Sequence, residues 1–194
     1  MSMLQLVTAA TKLPVSLAEV KDHLNLPHAE TDDDAKLDQM IRAAVQDAEK
    51  VHASGLAMTT QTWTENLCNW PANSEIVLRK SPVQSVTTVK YLDVDGVLQT
   101  LSSALYQTNL IPQPPWSARI LPAKGETWPT LQTEVYNPVQ VTYVAGYGDS
   151  FNDVPDEVRL ELLELVAGRY ENREPLAMPA GGLATLSNYR VNWF

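Results

Sequence analysis

The residue types that most often carry chemistry are scarce in this sequence. His23, His28 and His52 are the only histidines, and Cys68 is the only cysteine. No histidine lies in a metal-ligand spacing or near a serine or cysteine nucleophile signal, so we interpret all three as exposed or helix-cap residues. A single cysteine excludes an intramolecular disulfide, and we expect it to be a small buried or half-buried side chain. These residues predict no catalytic centre and no metal site.

Three consecutive acids, Asp32, Asp33 and Asp34, are the strongest candidate for a cation site. The loop spacing of a calcium-binding hand is absent, however, and acids at a helix start complement the helix dipole. Thr31 or Asp32 could cap the helix that follows. We therefore predict helix capping here rather than Mg²⁺ or Ca²⁺ binding.

A glycine pair, Gly146 and Gly148, resembles a dinucleotide-binding turn between a predicted strand and a predicted helix. The third glycine of that motif is missing. Asp149, Asp153 and Asp156 surround the position where a phosphate would lie and would repel it. We expect no nucleotide and no other cofactor.

Several tryptophans could provide a platform for stacking on bases or sugars. Platforms for single-stranded nucleic acid normally include a positive groove, whereas this chain has a formal net charge of −9 and a pI of about 4.7. Packing in the core or at an interface is the better interpretation. Trp116 and Trp128 lie in proline-rich loops and are candidate subunit-interface residues. A carbohydrate-binding β module that uses these two residues is kept as an alternative.

The composition is that of a globular protein. The chain has 194 residues, of which 44% are hydrophobic, and this is enough for one core, or for one core with an insertion. The N-terminal sequence lacks a convincing signal peptide, and no run approaches the ~20 apolar residues of a membrane span. We expect a soluble protein made in a reducing cytoplasm. Its acidity argues against a general binder of nucleic acid or anionic membranes.

Helical patterns flank the middle of the chain. Ser16 and Glu19 have the spacing of a capping box, which predicts a short helix ending at about Leu24. A second helix is predicted after the three acids, and Gly55 suits its C-terminal stop. Its apolar residues recur at steps of three and four: Leu37, Met40, Ile41, Ala44, Val45, Ala48 and Val51.

A third helix is predicted from Pro155, a residue that suits a first helical turn. Its apolar arc is too wide for a single contact surface, so we predict a central helix packed on more than one side. Arg169 and Arg173 lie one turn apart near its end. Both are candidate subunit-interface residues, and an intramolecular salt bridge is an equal alternative.

The sequence pattern in the middle of the chain predicts strands connected by turns. Asp95-Gly96 lies between two valines and is a strong hairpin signal. Alternating apolar residues and turn chemistry predict seven strands, at residues 61–67, 75–78, 83–91, 97–101, 106–110, 119–121 and 139–144.

Together these patterns predict an α+β fold. Residues 14–59 and 150–174 form a small helical bundle, and residues 60–149 form an inserted antiparallel β module. Residues 1–13 are expected to be an N-terminal arm, and residues 175–194 an extended C-terminal tail. The tail ends in apolar groups after two glycines, so it either folds back on its own domain or docks on a partner. Its candidate docking residues are Leu183, Leu186, Tyr189, Arg190, Val191, Trp193 and Phe194.

The ordered set of motifs resembles the head–tail connector (adaptor, or head-completion) proteins of long-tailed phages, prophages and gene transfer agents. The similarity extends from about Pro14 to Arg190. The segments that carry it are residues 14–24 (PVSLAEVKDHL), the acidic helix of residues 32–51, Gly55, residues 60–63 (TQTW), 76–86 (IVLRKSPVQSV), 91–96 (YLDVDG), 141–148 (VTYVAGYG), 154–155 (VP), 170–173 (YENR) and 189–190 (YR).

The resemblance implies a structural virion protein and not an enzyme. Such proteins form a ring of about twelve copies beneath the portal, with head-to-tail contacts that close by rotation. The ring extends the DNA channel and provides the platform for the tail, the stopper or the tail-terminator protein. It implies a place at the head–tail interface of a virion assembled in the bacterial cytoplasm, with the portal protein as a partner and a C-terminal segment that reaches toward the portal. We hypothesise that the tail anchors to the portal, because its apolar residues follow two glycines. It carries over no catalytic residue, metal or cofactor.

Other functions stay open at this point. A tail-completion or stopper protein is the nearest alternative, and an enzyme accessory to packaging, such as a hydrolase or nuclease, is a more distant one. Acidic residues lining a DNA path would repel the phosphate backbone, so that DNA would slide without sequence-specific binding.

Overall fold

The computed structural model describes residues 2–50, 55–110 and 118–171 and confirms the α+β fold. The chain forms two compact units. The β unit contains Gln61–Gly146 together with the N-terminal segment, and the helical unit contains Ala10–Thr60 together with the described residues from Tyr147 onwards. The corresponding predicted boundaries of the β module were residues 60 and 149.

In the described part of the β unit, eight strands build two antiparallel sheets. Five strands form the larger sheet, in the order β1-β2-β8-β4-β5, and three form the smaller one, in the order β3-β7-β6. Their bounds are β1 Ser2–Thr8, β2 Gln61–Leu67, β3 Ile76–Val77, β4 Val83–Leu92, β5 Leu98–Thr100, β6 Tyr106–Asn109, β7 Arg119–Pro122 and β8 Val139–Ala145. All seven predicted strands are therefore present, with ends within one residue of the prediction.

Strand β8 lies at the centre of the larger sheet. Val139, Val141, Tyr143 and Ala145 are buried, and the residues between them are half-buried. This period of two arises because successive side chains of a strand point to opposite faces of the sheet. The flanking strands β2 and β4 pair with β8 along most of its length. The hydrophobic core of the β unit is therefore assembled around β8.

The N-terminal segment, expected to be an extended arm, contains a strand that the sequence did not predict. Ser2–Thr8 forms strand β1, which pairs antiparallel with β2 from Ser2 opposite Leu67 to Thr8 opposite Thr62. The register shifts between Leu6 and Thr8. This strand is an edge of the five-stranded sheet, and β5 is the other edge. Strand β5 follows β4 through the predicted hairpin, in which Gly96 adopts φ +77° as a tight turn requires.

The described residues of the helical unit form three α-helices: α1 Leu17–His23, α2 Asp34–Ala48 and α3 Asp156–Glu171. The predicted capping box of α1 is present, because Ser16 accepts from the backbone of Glu19 while the carboxylate of Glu19 accepts from Ser16. Helix α3 contacts both α1 and α2, as predicted for a central helix. Its buried side chains are Val158, Leu162, Leu165 and Val166. No described helix has the length and apolar character needed to cross a membrane.

Two details of α2 differ from the prediction. The N-cap residue is Asp33 rather than Thr31 or Asp32, and its side chain makes no capping hydrogen bond. The helix ends at Ala48, so Gly55, with φ +71°, lies beyond the end rather than at the C-cap. The acids at the start of α2 have other partners, described below.

Candidate functional site

The histidines and the cysteine that the structure describes lie at the surface. His23 and His28 are exposed, and His28 Nε2 lies 2.6 Å from a carboxylate oxygen of Asp22. His52 lies outside the described residues. Cys68 is exposed, contrary to the prediction, because β2 ends one residue earlier and leaves it on a turn. Within the described ranges, no three His, Cys, Asp or Glu side chains are grouped so that they could hold a metal ion.

Two of the three acids at the start of α2, Asp33 and Asp34, make contacts within the helical unit. Lys21, which is 5% exposed, places its ammonium group 2.5 Å from Asp34 and donates to the carbonyl oxygen of Glu30 at 2.6 Å. Asp33 accepts from the hydroxyl group of Tyr170 at 2.8 Å, and this hydrogen bond raises the pKa of the tyrosine. The acids thus tie the start of α2 to α1 and α3.

The glycine turn after β8 carries a carboxylate where a phosphate would be expected. Asp153 accepts from the backbone of Ser150 at 2.9 Å, and its side chain lies so close to Gly148 that a Cβ there would collide with it. The glycine is therefore needed for the approach of a carboxylate. This arrangement disfavours an anionic ligand at the turn.

A buried ion pair lies in the β unit. Glu65 of β2 is 1% exposed and accepts from Arg79 Nε at 2.6 Å. Beside it, the hydroxyl group of Tyr143 accepts from the backbone N–H of Lys80 at 3.2 Å, and burial raises the pKa of this tyrosine. The Lys80 ammonium lies 4.9 Å from the ring centroid of Trp63. These contacts anchor the segment after β3 to the central strands.

Trp128, a candidate interface residue, packs within the β unit. Its ring stacks on Trp70 with 4.5 Å between centroids and 9° between planes. Its indole N–H donates to the carbonyl oxygen of Ser74 at 2.9 Å, and that of Trp70 donates to Pro129 at 2.8 Å. One face of Trp128 is therefore covered by its own chain. Trp116 lies outside the described residues, so the sugar platform that would use both tryptophans stays a prediction.

Arg169, a second candidate, makes an ion pair inside the helical unit. Its guanidinium lies 2.5 Å from Asp47 of α2 and 3.5 Å from the carbonyl oxygen of Met40. The hydrogen bond from Lys50 to Asp47, with a further contribution from Arg169, lowers the pKa of the carboxyl group. The intramolecular alternative is therefore present, and a subunit contact of Arg169 stays a prediction. Arg173 lies outside the described residues.

The candidate docking residues of the tail all lie outside the described residues: Leu183, Leu186, Tyr189, Arg190, Val191, Trp193 and Phe194. Arg159, which pairs with Glu19 of α1 and with Asp156, was not among the predicted site residues. The exposed apolar side chains of β1 were not predicted either, although the alternation of Leu4 and Leu6 around Gln5 is a signal for a strand.

No protein-family model and no curated protein matches this chain. Solved structures do match, with each alignment covering 99% of this chain and 97% of the other. A chain from the neck of an empty gene transfer agent (GTA) particle, computed with C6 symmetry, has 25% identity and a TM-score of 0.81. A chain from the virion of a native gene transfer agent particle has 27% identity and a TM-score of 0.77. A chain from the neck of a native particle, computed with C12 symmetry, has 28% identity and a TM-score of 0.76. The chain is thus similar, over nearly its whole length, to neck and virion chains of gene transfer agents, which supports a protein of the phage or gene-transfer-agent neck type.

Proposed function

We propose that this chain is a head–tail connector subunit, a structural component in the neck of a phage, prophage or gene transfer agent particle. The observation that carries the proposal is the similarity to chains of gene transfer agent necks over 99% of the sequence, at 25–28% identity. Both the helical unit and the β unit are included, so the likeness concerns the whole protein. The matching structures are particle components, which argues against an enzyme, and the proposal requires no cofactor.

The connector forms a homo-oligomeric ring of about twelve copies beneath the portal protein, closed by head-to-tail contacts. On its other side it presents a platform to the tail, the stopper or the tail-terminator protein. The net charge of −9 suits a channel wall that DNA passes without being held, because acidic groups repel phosphates. Mapping the acidic side chains in an imaged ring tests this point, and acids placed mainly on the outer surface would contradict it.

The tail of residues 183–194 is proposed to bind the portal. Its apolar residues follow a Gly-Gly pair in the sequence, and its aromatic residues are of the types that anchor interfaces. Deleting these residues should abolish binding to portal-bearing capsids while leaving the far-UV circular dichroism of the protein unchanged. Full binding by the shortened protein would contradict this assignment.

Electron microscopy of portal-bearing capsids mixed with the purified protein tests the function directly. A ring of this chain directly beneath the portal is the expected result. Density further along the tail would instead assign it a stopper or tail-completion role. An absence of binding to any particle component would refute a neck function altogether.

A further inference from the structure

Large exposed apolar side chains concentrate at the two edges of the five-stranded sheet. Of the ten such residues in the described part of the chain, six lie on β1 or on the β4–β5 hairpin. On β1 they are Met3, Leu6 and Val7, and on the hairpin they are Val94, Val97 and Leu98, with exposed fractions of 44–62%. Each edge therefore combines an apolar surface with backbone that no other strand of the described residues pairs with.

Strand β1 lacks most devices that protect an edge strand from association. Such strands are usually very short, charged or interrupted by proline. Ser2–Thr8 is seven residues long and has neither a charged residue nor a proline. Its one irregularity is the register shift after Leu6. An edge of this kind is expected to have an occupant.

The backbone groups available at the β5 edge follow from its pairing with β4. Leu101 donates to the carbonyl oxygen of Val89 at 2.8 Å. Because backbone groups of an antiparallel strand point alternately to either side, those of Leu98 and Thr100 point away from β4. No strand of the described residues pairs with this edge.

The same alternation defines the β1 edge. Leu92 of β4 donates to Pro138, just before β8, at 2.8 Å. In an antiparallel sheet the backbone N–H and C=O groups of successive residues point to alternate neighbouring strands. Applying this rule along the observed pairings of β4 with β8, β8 with β2 and β2 with β1 shows that the backbone groups of Gln5 point towards β2. The backbone groups of Leu4 and Leu6 therefore point away from the sheet, at its outer edge. The two edges thus offer complementary donors and acceptors on opposite sides of one sheet.

We infer that β1 of one copy pairs with β5 of the next copy, so that the sheets of neighbouring subunits join edge to edge. Two unlike edges that bind each other form a heterologous contact, which generates a ring when the rotation closes. A chain's own tail could cover one edge but would leave the other exposed. This inference rests on the proposed ring assembly and specifies the surface that builds it.

Joining the sheets edge to edge predicts the distance between neighbouring copies of the chain in the ring. Strands lie about 4.8 Å apart in a sheet, so five strands give about 24 Å per copy where the strands run along the ring axis. This repeat, measured at the radius of the β unit, can be read from an image of the ring.

Proline at the β5 edge tests the need for backbone pairing. Thr100→Pro removes an outward N–H and should leave the β4–β5 ladder intact, whereas Thr100→Ala removes the side chain and keeps the N–H. Both variants should unfold at a similar urea concentration. Ring formation on portal-bearing capsids should fall at least tenfold for Thr100→Pro and stay near wild type for Thr100→Ala. Equal assembly by the two folded variants would overturn the inference.

Disulfide mapping identifies the partner strand. In a Cys68→Ser background, one variant carries Leu6→Cys, and three others carry cysteine at Leu98, Gln99 or Thr100 to scan the register. Cα atoms of paired strands lie within reach of a disulfide. After assembly on portal-bearing capsids and oxidation, we expect a crosslinked dimer in at least one mixture of a β1 variant with a β5 variant, and none in either variant alone.

The remaining outcomes overturn the inference. A dimer formed by Leu6→Cys alone would show two β1 edges pairing with each other. A crosslink that appears only after deletion of residues 183–194 would make the tail the occupant of the edge. A ring visible by microscopy with no crosslink would refute the edge contact and leave the proposed function standing. If neither ring nor crosslink forms, both proposals fail.

Discussion

The ion pair between Arg169 and Asp47 offers a direct test of whether this arginine serves the chain's own fold. The two side chains are 18% and 27% exposed, and the nitrogen–oxygen distance is 2.5 Å. Hydrogen bonds to charged groups contribute about 1.5–3 kcal/mol to stability, whereas ion pairs in full contact with solvent contribute about 0–1 kcal/mol. Because the pair is only partly sheltered, we expect a coupling energy between these ranges, at about 1–2 kcal/mol.

A double-mutant cycle measures this coupling. Arg169→Met keeps most of the aliphatic stem, and Asp47→Asn keeps the shape of its partner, so the cycle separates the pair from the additional bond of Lys50 to Asp47. Unfolding in urea at pH 7 gives the free energies. The expected coupling corresponds to a fall in Tm of about 2–8 °C for a chain of this length.

The matched control is the pair between Arg42 and Asp38 on α2, in which the side chains are 61% and 43% exposed. Arg42→Met should change the free energy of unfolding by less than about 1 kcal/mol. If Arg169→Met is as stable as wild type but fails to assemble into rings, the reasoning is refuted and Arg169 acts between subunits.

Three further perturbations test the two units. The pKa of Asp47 is lowered in the folded state from its ordinary value of 3.8. Its contribution to stability is therefore complete well above that value and is lost as the pH falls through the folded pKa. The stability difference between wild type and Asp47→Asn, measured in urea, should be constant from about pH 6 to 8 and shrink as the pH falls below about 5. Leu162→Ala, at a fully buried position of α3, should lower the free energy of unfolding by about 2–5 kcal/mol. Leu160→Ala, at a position 51% exposed, should change the free energy of unfolding by less than about 0.5 kcal/mol. Equal losses of stability in the two variants would contradict the assigned buried and exposed faces of α3. Tyr143→Phe removes a buried acceptor and should cost about 1–3 kcal/mol, while Tyr136→Phe, at a position 94% exposed, should be neutral within about 0.5 kcal/mol, both measured by thermal unfolding.

Local patterns in the sequence were sufficient to predict most of the individual elements. The alternation in Val139–Ala145 reflects burial of one face of β8, and the capping box at Ser16 satisfies backbone donors within one turn of α1. The turn at Gly96 needs only a residue that tolerates positive φ. In each case the interacting groups are close in the sequence, so the pattern contains the whole physical cause.

Contacts between distant residues could not be read in this way. Strand β1 was missed because its pairing depends on β2, more than fifty residues further along the chain. Arg159 and Glu19 are 140 residues apart, and nothing local distinguishes this arginine from an exposed one. We predicted a buried or half-buried Cys68 because this residue type is usually buried, whereas its position just after the end of β2 decides its exposure.

The candidate association surface, at the β1 and β5 edges of the five-stranded sheet, was less predictable from the sequence than the fold. An association surface is defined by which apolar groups remain exposed after folding, and this is known only once the sheet order is known. Leu6 and Val97 look like core residues in the sequence, and only the edge positions of β1 and β5 distinguish them from the core.

The register of β2 and β8 has a consequence for how such genes could recombine. Gln61 is paired with Ala145, so the two ends of the segment from residue 61 to residue 145 lie side by side. A segment with adjacent ends can be replaced by another of different length in a single genetic exchange, because the flanking backbone need not move. In this protein β1 restricts that freedom. A replacement taken from another lineage must still accept residues 2–8 beside its first strand, or the N-terminus must be exchanged with it.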